Sequence, residues 1–593
     1  MTTDYKNMIL AIVLSVLVVI GYTVFIERPR QIAEQQRLAA LQAESATATS
    51  ESSTPSPSVS GGVTAPGGAP AGASLAPSPD VPGVAESRAA ALAASPRIRV
   101  ETPSMTGSIA LKGARIDDVV LTNYRKELEP NSPPIHLLEP TTLQKPYYAE
   151  FGWVTAPNVP AKLPTADTVW TADKTVLKPG TPVTLRWDNG EGLLFERRIA
   201  LDEEYLFTVT QTVRNRSDTP VTLYPYGLLS RGGTPETLGF YILHEGPLGV
   251  FDETLTELDY SDLQEDGDVK ATSQGGWIGF TDKYWLAALI PGKDGRWDYN
   301  FRHTIRNQDD RYQVDFLGQA ETVAAGATIT TDTRLFAGAK LVTLLDRYAE
   351  EYGITNFDLA IDFGWFYFLT KPFFFILNYF NSVLGNFGLA ILGLTVVIKL
   401  LFFPLANKSY RSMAKLKTLT PKMKEMREKY GDDRQRLNEE MMALYKREKV
   451  NPAAGCLPIL IQIPVFFALY KVLFVNIEMR HAPFYGWIND LSAPDPTTLF
   501  NLFGLIPWDP PQMLMIGAWP VIMGVTMFLQ QKLNPQPADP MQAKIFMFLP
   551  LLFTVLLSQF AAGLVIYWTW NNLLSILQQW VIMKRMGVKN ALE

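Results

Sequence analysis

A chain of 593 residues exceeds what one hydrophobic core organises, so several domains are expected. Its 53 basic residues against 59 acidic ones give a formal charge of −6, which argues against a DNA-binding or general nucleic-acid-binding protein. The single cysteine, Cys456, excludes an intrachain disulfide and a cysteine-built metal cluster, and its expected state is a buried, inert thiol.

In chain order, Lys6 precedes an apolar run of 19 residues, 8–26, long enough to cross a bilayer of about 30 Å as a helix. A signal peptide would carry a shorter apolar core ending at a small-x-small site, whereas this run continues into Phe25-Ile26-Glu27-Arg28. Residues 1–30 are therefore read as an uncleaved transmembrane anchor. Residues 31–96 are dominated by Ala, Ser, Pro, Gly and Thr and cannot bury enough surface to offset their ordering entropy, which predicts a flexible linker.

From 97 to about 336 the pattern changes to period two, rich in Val, Thr, Tyr and Trp. Two strand-like runs flank Asp188-Asn189-Gly190, where Asn-Gly suits a tight hairpin turn, and residues 206–213 alternate again. An all-β sandwich domain is predicted, closed by a helix over 340–352 with Leu341, Leu344, Leu345 and Tyr348 on one face, so that the domain spans 97–352. Residues 363–380 hold ten aromatics interrupted by Lys371-Pro372, which suits an amphipathic helix lying along a membrane interface, with an extra span as the competing reading.

Five apolar runs free of Asp and Glu follow within 381–593: 383–405, 457–475, 513–529, 545–560 and 564–583. They predict a membrane α-helical bundle of five helices. The third and fourth are short for a span and favour local bilayer thinning, and internal prolines at Pro458, Pro464, Pro520 and Pro550 predict kinks. Thirteen basic and seven acidic residues lie between Pro404 and Gly455, against one basic residue, Arg480, in the next loop. The positive-inside rule then places that basic segment and the C-terminus in the cytoplasm, the β domain outside and the N-terminus inside.

Lys399 sits within the first run, six apolar residues from its cytoplasmic end, where the ammonium either snorkels to the interface or faces a polar groove. Thr395 shares its helical face, and no carboxylate occurs in any span to neutralise it. Gln462, Gln559, Thr569, Asn571, Asn572 and Gln578 in other spans either line a wet cavity with it or join helices by hydrogen bonds. Lys471, near the outer end of its run, reads as a snorkelling side chain. Residues 408–450 form a predicted cytoplasmic helical hairpin broken at Gly431-Asp432-Asp433, with Asp432 and Gln435 resembling a capping box. Its methionines, Met413, Met423, Met426, Met441 and Met442, either pack the hairpin or offer a surface for varied apolar sequences, and its charges suit a solvated face or an approach to anionic lipid or RNA.

The stretch Asn451-Pro452-Ala453-Ala454-Gly455-Cys456-Leu457-Pro458-Ile459-Leu460-Ile461-Gln462-Ile463-Pro464 resembles the signature of the YidC family of membrane protein insertases. So do residues 415–433 and Asp539-Pro540-Met541-Gln542, and the anchor, linker and β domain resemble the Gram-negative branch. The resemblance implies an inner-membrane insertase and chaperone, not an enzyme and without cofactors. It implies nascent membrane proteins as substrates and the Sec translocon as partner, and leaves open contacts with the ribosome and the signal recognition particle pathway. Within the family Lys399 takes the place of a groove cation that is usually arginine, which keeps the charge and loses the guanidinium fork. Gln462 matches a groove position and Trp568 an aromatic one, while Gln559 departs from an aromatic found in some members; the tail after Arg585 is too short for an extended ribosome-binding segment.

Two rival classes remain at this level. A solute or ion transporter or channel would place ionisable pairs or repeats at midplane, and neither occurs. A carbohydrate-binding or catalytic role of the β domain has only His244-Glu245 to offer as acid-base chemistry, and no phosphate loop, zinc spacing or nucleophile motif is present.

Overall fold

The computed structural model describes residues 85, 87–156, 161–237, 243–306, 308–431, 433–448, 457–508, 510–511, 514–534 and 540–586. The predicted anchor, most of the linker, Asp432 and Cys456 lie outside the described residues. The chain divides into two compact units that meet in sequence between Asp362 and Phe363.

The first unit is a β-sandwich. Among the described residues, one sheet has eleven strands and the other nine, almost all antiparallel. Alternation explains why they stack: strand Leu206–Asn215 buries Val209, Gln211 and Val213 while Thr208, Thr210 and Thr212 stay partly open. The interior is dominated by aromatics, with Trp277, Tyr299, Phe301, Phe316 and Phe336 fully enclosed. The expected hairpin at Asn189-Gly190 is present, but its loop is longer than a two-residue turn. The Asn189 amide donates to the Leu193 carbonyl at 3.0 Å, and Gly190 and Gly192 take φ of 74° and 92°. Helix α1 (Arg88–Ala93) falls inside the predicted linker, because Ser87 caps it and Arg88 is held by Asp118 and Glu139. Helix α2 (Tyr260–Asp266) seats Tyr260 and Leu263 in the interior. Helix α3 (Val342–Tyr352) buries Val342, Leu344, Leu345 and Tyr348 and ends on Gly353 at φ 65°, as its sequence pattern predicts apart from Leu341, which stands at the N-cap.

The second unit is helical: α4 (Tyr367–Leu384), α5 (Phe387–Leu401), α6 (Phe403–Tyr430), α7 (Arg434–Arg447), α8 (Leu457–Val475), α9 (Ala518–Leu533), α10 (Pro540–Leu556) and α11 (Ala562–Arg585). Three expectations are corrected here. Pro372 does not interrupt its segment, since α4 runs through it to Leu384. The first apolar run is not one helix over 383–405: Val383 and Leu384 finish α4, Gly385 turns the chain at φ 67°, Asn386 caps α5, and the ladder breaks at Phe402. Pro404 supplies the reason for the second break, because it has no N–H to offer the Leu400 carbonyl one turn back, and α5 and the start of α6 meet at 69°. In the hairpin the cap is Asp433, which accepts from the Arg436 amide at 3.1 Å, and Gly431 is right-handed at φ −58° instead of forming a left-handed terminus.

Among the described residues no single helix is long and apolar enough to cross a membrane by itself; the bent pair Phe387–Leu401 and Phe403–Leu419 passes that test jointly. The outward faces nonetheless remain apolar. Val396, Val397, Leu400 and Leu401 on α5 and Phe546, Phe548, Leu551, Leu552 and Val555 on α10 are exposed, uncovered apolar faces of the kind a bilayer or a partner covers. The inward face of α11 packs against α5, α6 and α9, and it is there that the polar residues gather.

Candidate functional site

Helix α11 carries polar side chains at four-residue spacing, Tyr567, Asn571, Ser575 and Gln579, which puts them on one stripe, and all four are buried. The stripe looks onto the last turns of α5. Lys399 points inward there and its Nζ donates to Ser575 Oγ at 2.7 Å, while Ser575 Oγ donates onward to the Asn571 carbonyl at 2.8 Å. One helical turn earlier, Thr395 Oγ1 satisfies itself on the Ile391 carbonyl at 2.7 Å, so it lines the site without competing for the ammonium. Lys399 also lies in the final turn of α5, where unpaired carbonyls carry partial negative charge. No ion pair to Lys399 occurs among the described residues.

These groups line an open cavity. Thr395, Lys399, Gln462 and Asn571 of the predicted set line it together, with Tyr410 of α6 and Tyr567 of α11. Its remaining wall is apolar and includes Ile398, Phe402 and Val465. Phe402 at the bend lines it too, as do Leu405 and Ala406 just beyond.

The other two predicted groove residues belong elsewhere. Asn572 Nδ2 donates to Thr526 Oγ1 of α9 at 3.2 Å, an interhelical tie. Trp568 stacks on Phe466 at 4.6 Å between centroids and packs against the Met523, Leu557 and Val565 cluster. Of the further amides and hydroxyls, Thr569 bonds back to the Val565 carbonyl and Gln559 is exposed. Sequence reasoning missed Ser575, Tyr410 and Tyr567. The spacing of Tyr567, Asn571 and Ser575 was a usable signal for two of them, whereas Tyr410 enters the cavity through the turn at Phe402.

In the hairpin, Ser409, Tyr410, Ala414, Leu419 and Leu444 are buried. Met413, Met423, Met426 and Met441 are half-buried along the same seam, with the Tyr445 hydroxyl 3.9 Å from Met423 Sδ, while Met442 faces outward.

Against known proteins, the family model of the YidC periplasmic domain matches residues 97–376 and that of the 60Kd inner membrane protein matches 379–589. The chain belongs to the YidC family of membrane protein insertases. A membrane protein insertase YidC of Methylobacterium radiotolerans is 51% identical over 602 residues, 99% of this chain and 96% of that one. One of Rickettsia felis is 48% identical over 586 residues, 98% of this chain and all of that one. A crystal structure of an active YidC insertase aligns with 82% of this chain and 92% of its own at 17% identity and a TM-score of 0.33. The β-sandwich is thus a YidC periplasmic domain, and the helical unit carries the inner-membrane part of the family.

Proposed function

We propose that the chain inserts nascent inner-membrane proteins and helps them fold, and that the cavity around Lys399 is where a polar segment of the substrate is received. The observation that carries this reading is the Lys399 ammonium held by a neutral hydroxyl, beside Thr395, Gln462 and Asn571, in a cavity open at one side. A half-buried cation without a carboxylate attracts the negative groups of a passing segment while its own position stays fixed. The apolar part of the substrate then slides along the uncovered outer faces of α5 and α10, and hydrophobic partition drives release without a nucleotide.

The reading extends to topology. The core is a bundle of five membrane helices with both termini cytoplasmic, and α4 lies along the interface. The groove opens to the cytoplasm and to lipid. Short α9 and α10 thin the bilayer beside it. The basic hairpin meets the arriving chain, anionic lipid, or the ribosome with the signal recognition particle pathway, and the Sec translocon acts alongside.

Site-specific crosslinking to a ribosome-stalled nascent chain tests the position of the groove. A photoreactive side chain at Gln462 is expected to capture the substrate and one at Asn572 is not. Capture from Asn572 alone would contradict the assignment.

A further inference from the structure

The connection between α8 and α9 carries an apolar surface that the groove does not use. From Pro496 to Trp508 no residue is charged, and besides the Trp508 indole only Thr497, Thr498 and Asn501 have polar side chains. Around the 3₁₀ turn Leu499–Gly504, the side chains of Leu499, Phe500, Leu502, Phe503, Leu505 and Ile506 are all exposed, Leu505 by 83%. Leu502 and Phe503 take φ of 50° and 58°, left-handed values that are unfavourable for large side chains and persist only where the surroundings enforce them. Apolar surface of this extent marks a place that something covers.

The loop turns its hydrogen bonds inward. The amides of Phe503, Ile506 and Trp508 donate to the carbonyls of Thr498, Asn501 and Ile506 at 2.8, 3.0 and 2.8 Å. Thr498 Oγ1 accepts from the Phe500 amide at 3.3 Å and donates to the Leu514 carbonyl at 2.9 Å. The Asn501 side chain accepts from the Gly504 amide at 2.9 Å and donates to the Trp508 carbonyl at 3.3 Å. Thr497 Oγ1 donates to Asp495 at 2.7 Å and accepts from the Ala518 amide at 3.0 Å. A protein-binding surface carries a polar rim and hydrogen-bonding groups, whereas here each threonine hydroxyl and the asparagine amide of 496–508 is already engaged. Acyl chains require that arrangement, since they offer no partner to a free polar group. The base of the loop is tied to two helices. Buried Asp495 also accepts from the Trp487 indole at 3.1 Å and, in the first turn of α9, from the Trp519 amide at 2.9 Å. The first amides of α11, Ala562 and Gly563, donate to the Ala493 and Leu491 carbonyls at 2.7 and 2.9 Å. Tyr485, Trp487 and Trp508 are exposed beside it, amphipathic rings that favour the headgroup level of a membrane.

We propose that residues 499–508 form a wedge seated in the phospholipid leaflet at the outer end of the bundle, with Leu502, Phe503, Leu505 and Ile506 among the upper acyl chains. The inference rests on the membrane reading of the helical unit given above and adds that this connection enters the lipid instead of crossing water. Because its base is fastened to the starts of α9 and α11, the wedge fixes against the lipid the outer end of the helix that carries the polar stripe of the groove.

The test uses the full-length protein in phospholipid vesicles, with Cys456→Ser and one new cysteine carrying the environment-sensitive fluorophore nitrobenzoxadiazole. Leu505→Cys and Ile506→Cys are expected to give blue-shifted emission and to lose most of their intensity to phospholipids brominated near the top of the acyl chain. Leu551→Cys on the exposed face of α10 is the lipid reference, and Ile305→Cys, 70% exposed in the sandwich, the aqueous one. With Leu499→Cys as the probe, Leu505→Asp together with Ile506→Asp is expected to return the emission to the aqueous value. Circular dichroism checks folding, and if that pair does not fold, Phe503→Asp decides, because aspartate tolerates the left-handed backbone there. Aqueous emission at Leu505 and Ile506 with quenching at Leu551 would overturn the wedge and leave the membrane reading standing, whereas aqueous emission at all three would overturn both. Blue-shifted emission without quenching by brominated lipid would mean that protein covers the loop, a second copy or a substrate, and would also overturn the wedge. So would quenching at Leu499 that the aspartates leave untouched.

Discussion

Two lysines, one in each unit, make the same hydrogen bond in opposite settings. Lys340 in the sandwich donates to Thr281 Oγ1 at 2.7 Å, and Lys399 among the helices donates to Ser575 Oγ at 2.7 Å. Around Lys340 stand Asp282, Asp362, Glu245 and Glu257, whose charges pull its pKa up while burial pushes it down to about 8. Lys399 faces amides, hydroxyls and helix-terminal carbonyls instead. A lysine enclosed by acids has its field cancelled at home and serves the architecture. A lysine without them projects its field into whatever enters the cavity, which is the property an insertion groove needs.

The largest effect is expected from reversing that field. Two unit charges about 10 Å apart at an effective dielectric of about 20 interact by roughly 1.7 kcal/mol, so neutralising Lys399 costs on the order of tenfold in insertion rate and Lys399→Glu on the order of a hundredfold. The loss should grow with the acidity of the substrate's translocated segment, and Lys399→Arg should restore most of the rate. Measurement of insertion for a series of substrates differing only in that segment checks it.

Lys340 supplies the contrast. Its pKa lies at about 8 in the folded state against 10.5 ordinarily, so between those values the unfolded chain binds the extra proton. Stability of the full-length protein should therefore rise as pH goes from about 8 to 10.5, and the penalty of about 3 kcal/mol is fully present below pH 8. Lys340→Met is expected to flatten that rise in thermal unfolding followed against pH, while insertion stays unchanged.

Ser575 is a positioning residue. Ser575→Ala leaves the Lys399 charge but removes its acceptor, and about tenfold slower insertion is expected, rescued by Ser575→Thr. A purely structural role would lower thermal stability without that rescue. The smallest effect belongs to the interhelical tie: Asn572→Leu should cost about 0.6 kcal/mol of stability and spare insertion, as unfolding and insertion assays on the same preparation would show.

How much of this was legible in the sequence depended on the physics behind each signal. Period-two alternation and the aromatic interior were enough for a sandwich, and four-residue spacing placed Thr395 and Lys399 on one face. Apolarity alone could not divide 383–405 between two helices and a bend, because the decision rested on Gly385, Asn386 and Pro404, local residues inside a run read for its hydropathy. Nor could it separate Asn571 from Asn572. One residue is 100° of helix, which sends the first into the cavity and the second onto Thr526. The family signature named the activity but carried Trp568 into the groove, whereas it stacks on Phe466 and is not among the residues that line the cavity.

The central claim is that the uncompensated charge of Lys399 drives the first step of insertion. Reconstitution of the purified protein in lipid vesicles, with a small single-span substrate bearing an acidic translocated segment, tests it most directly. The account predicts rapid insertion by the native protein, slower insertion by Lys399→Ala and slowest by Lys399→Glu. Normal insertion of that substrate by both variants would contradict it.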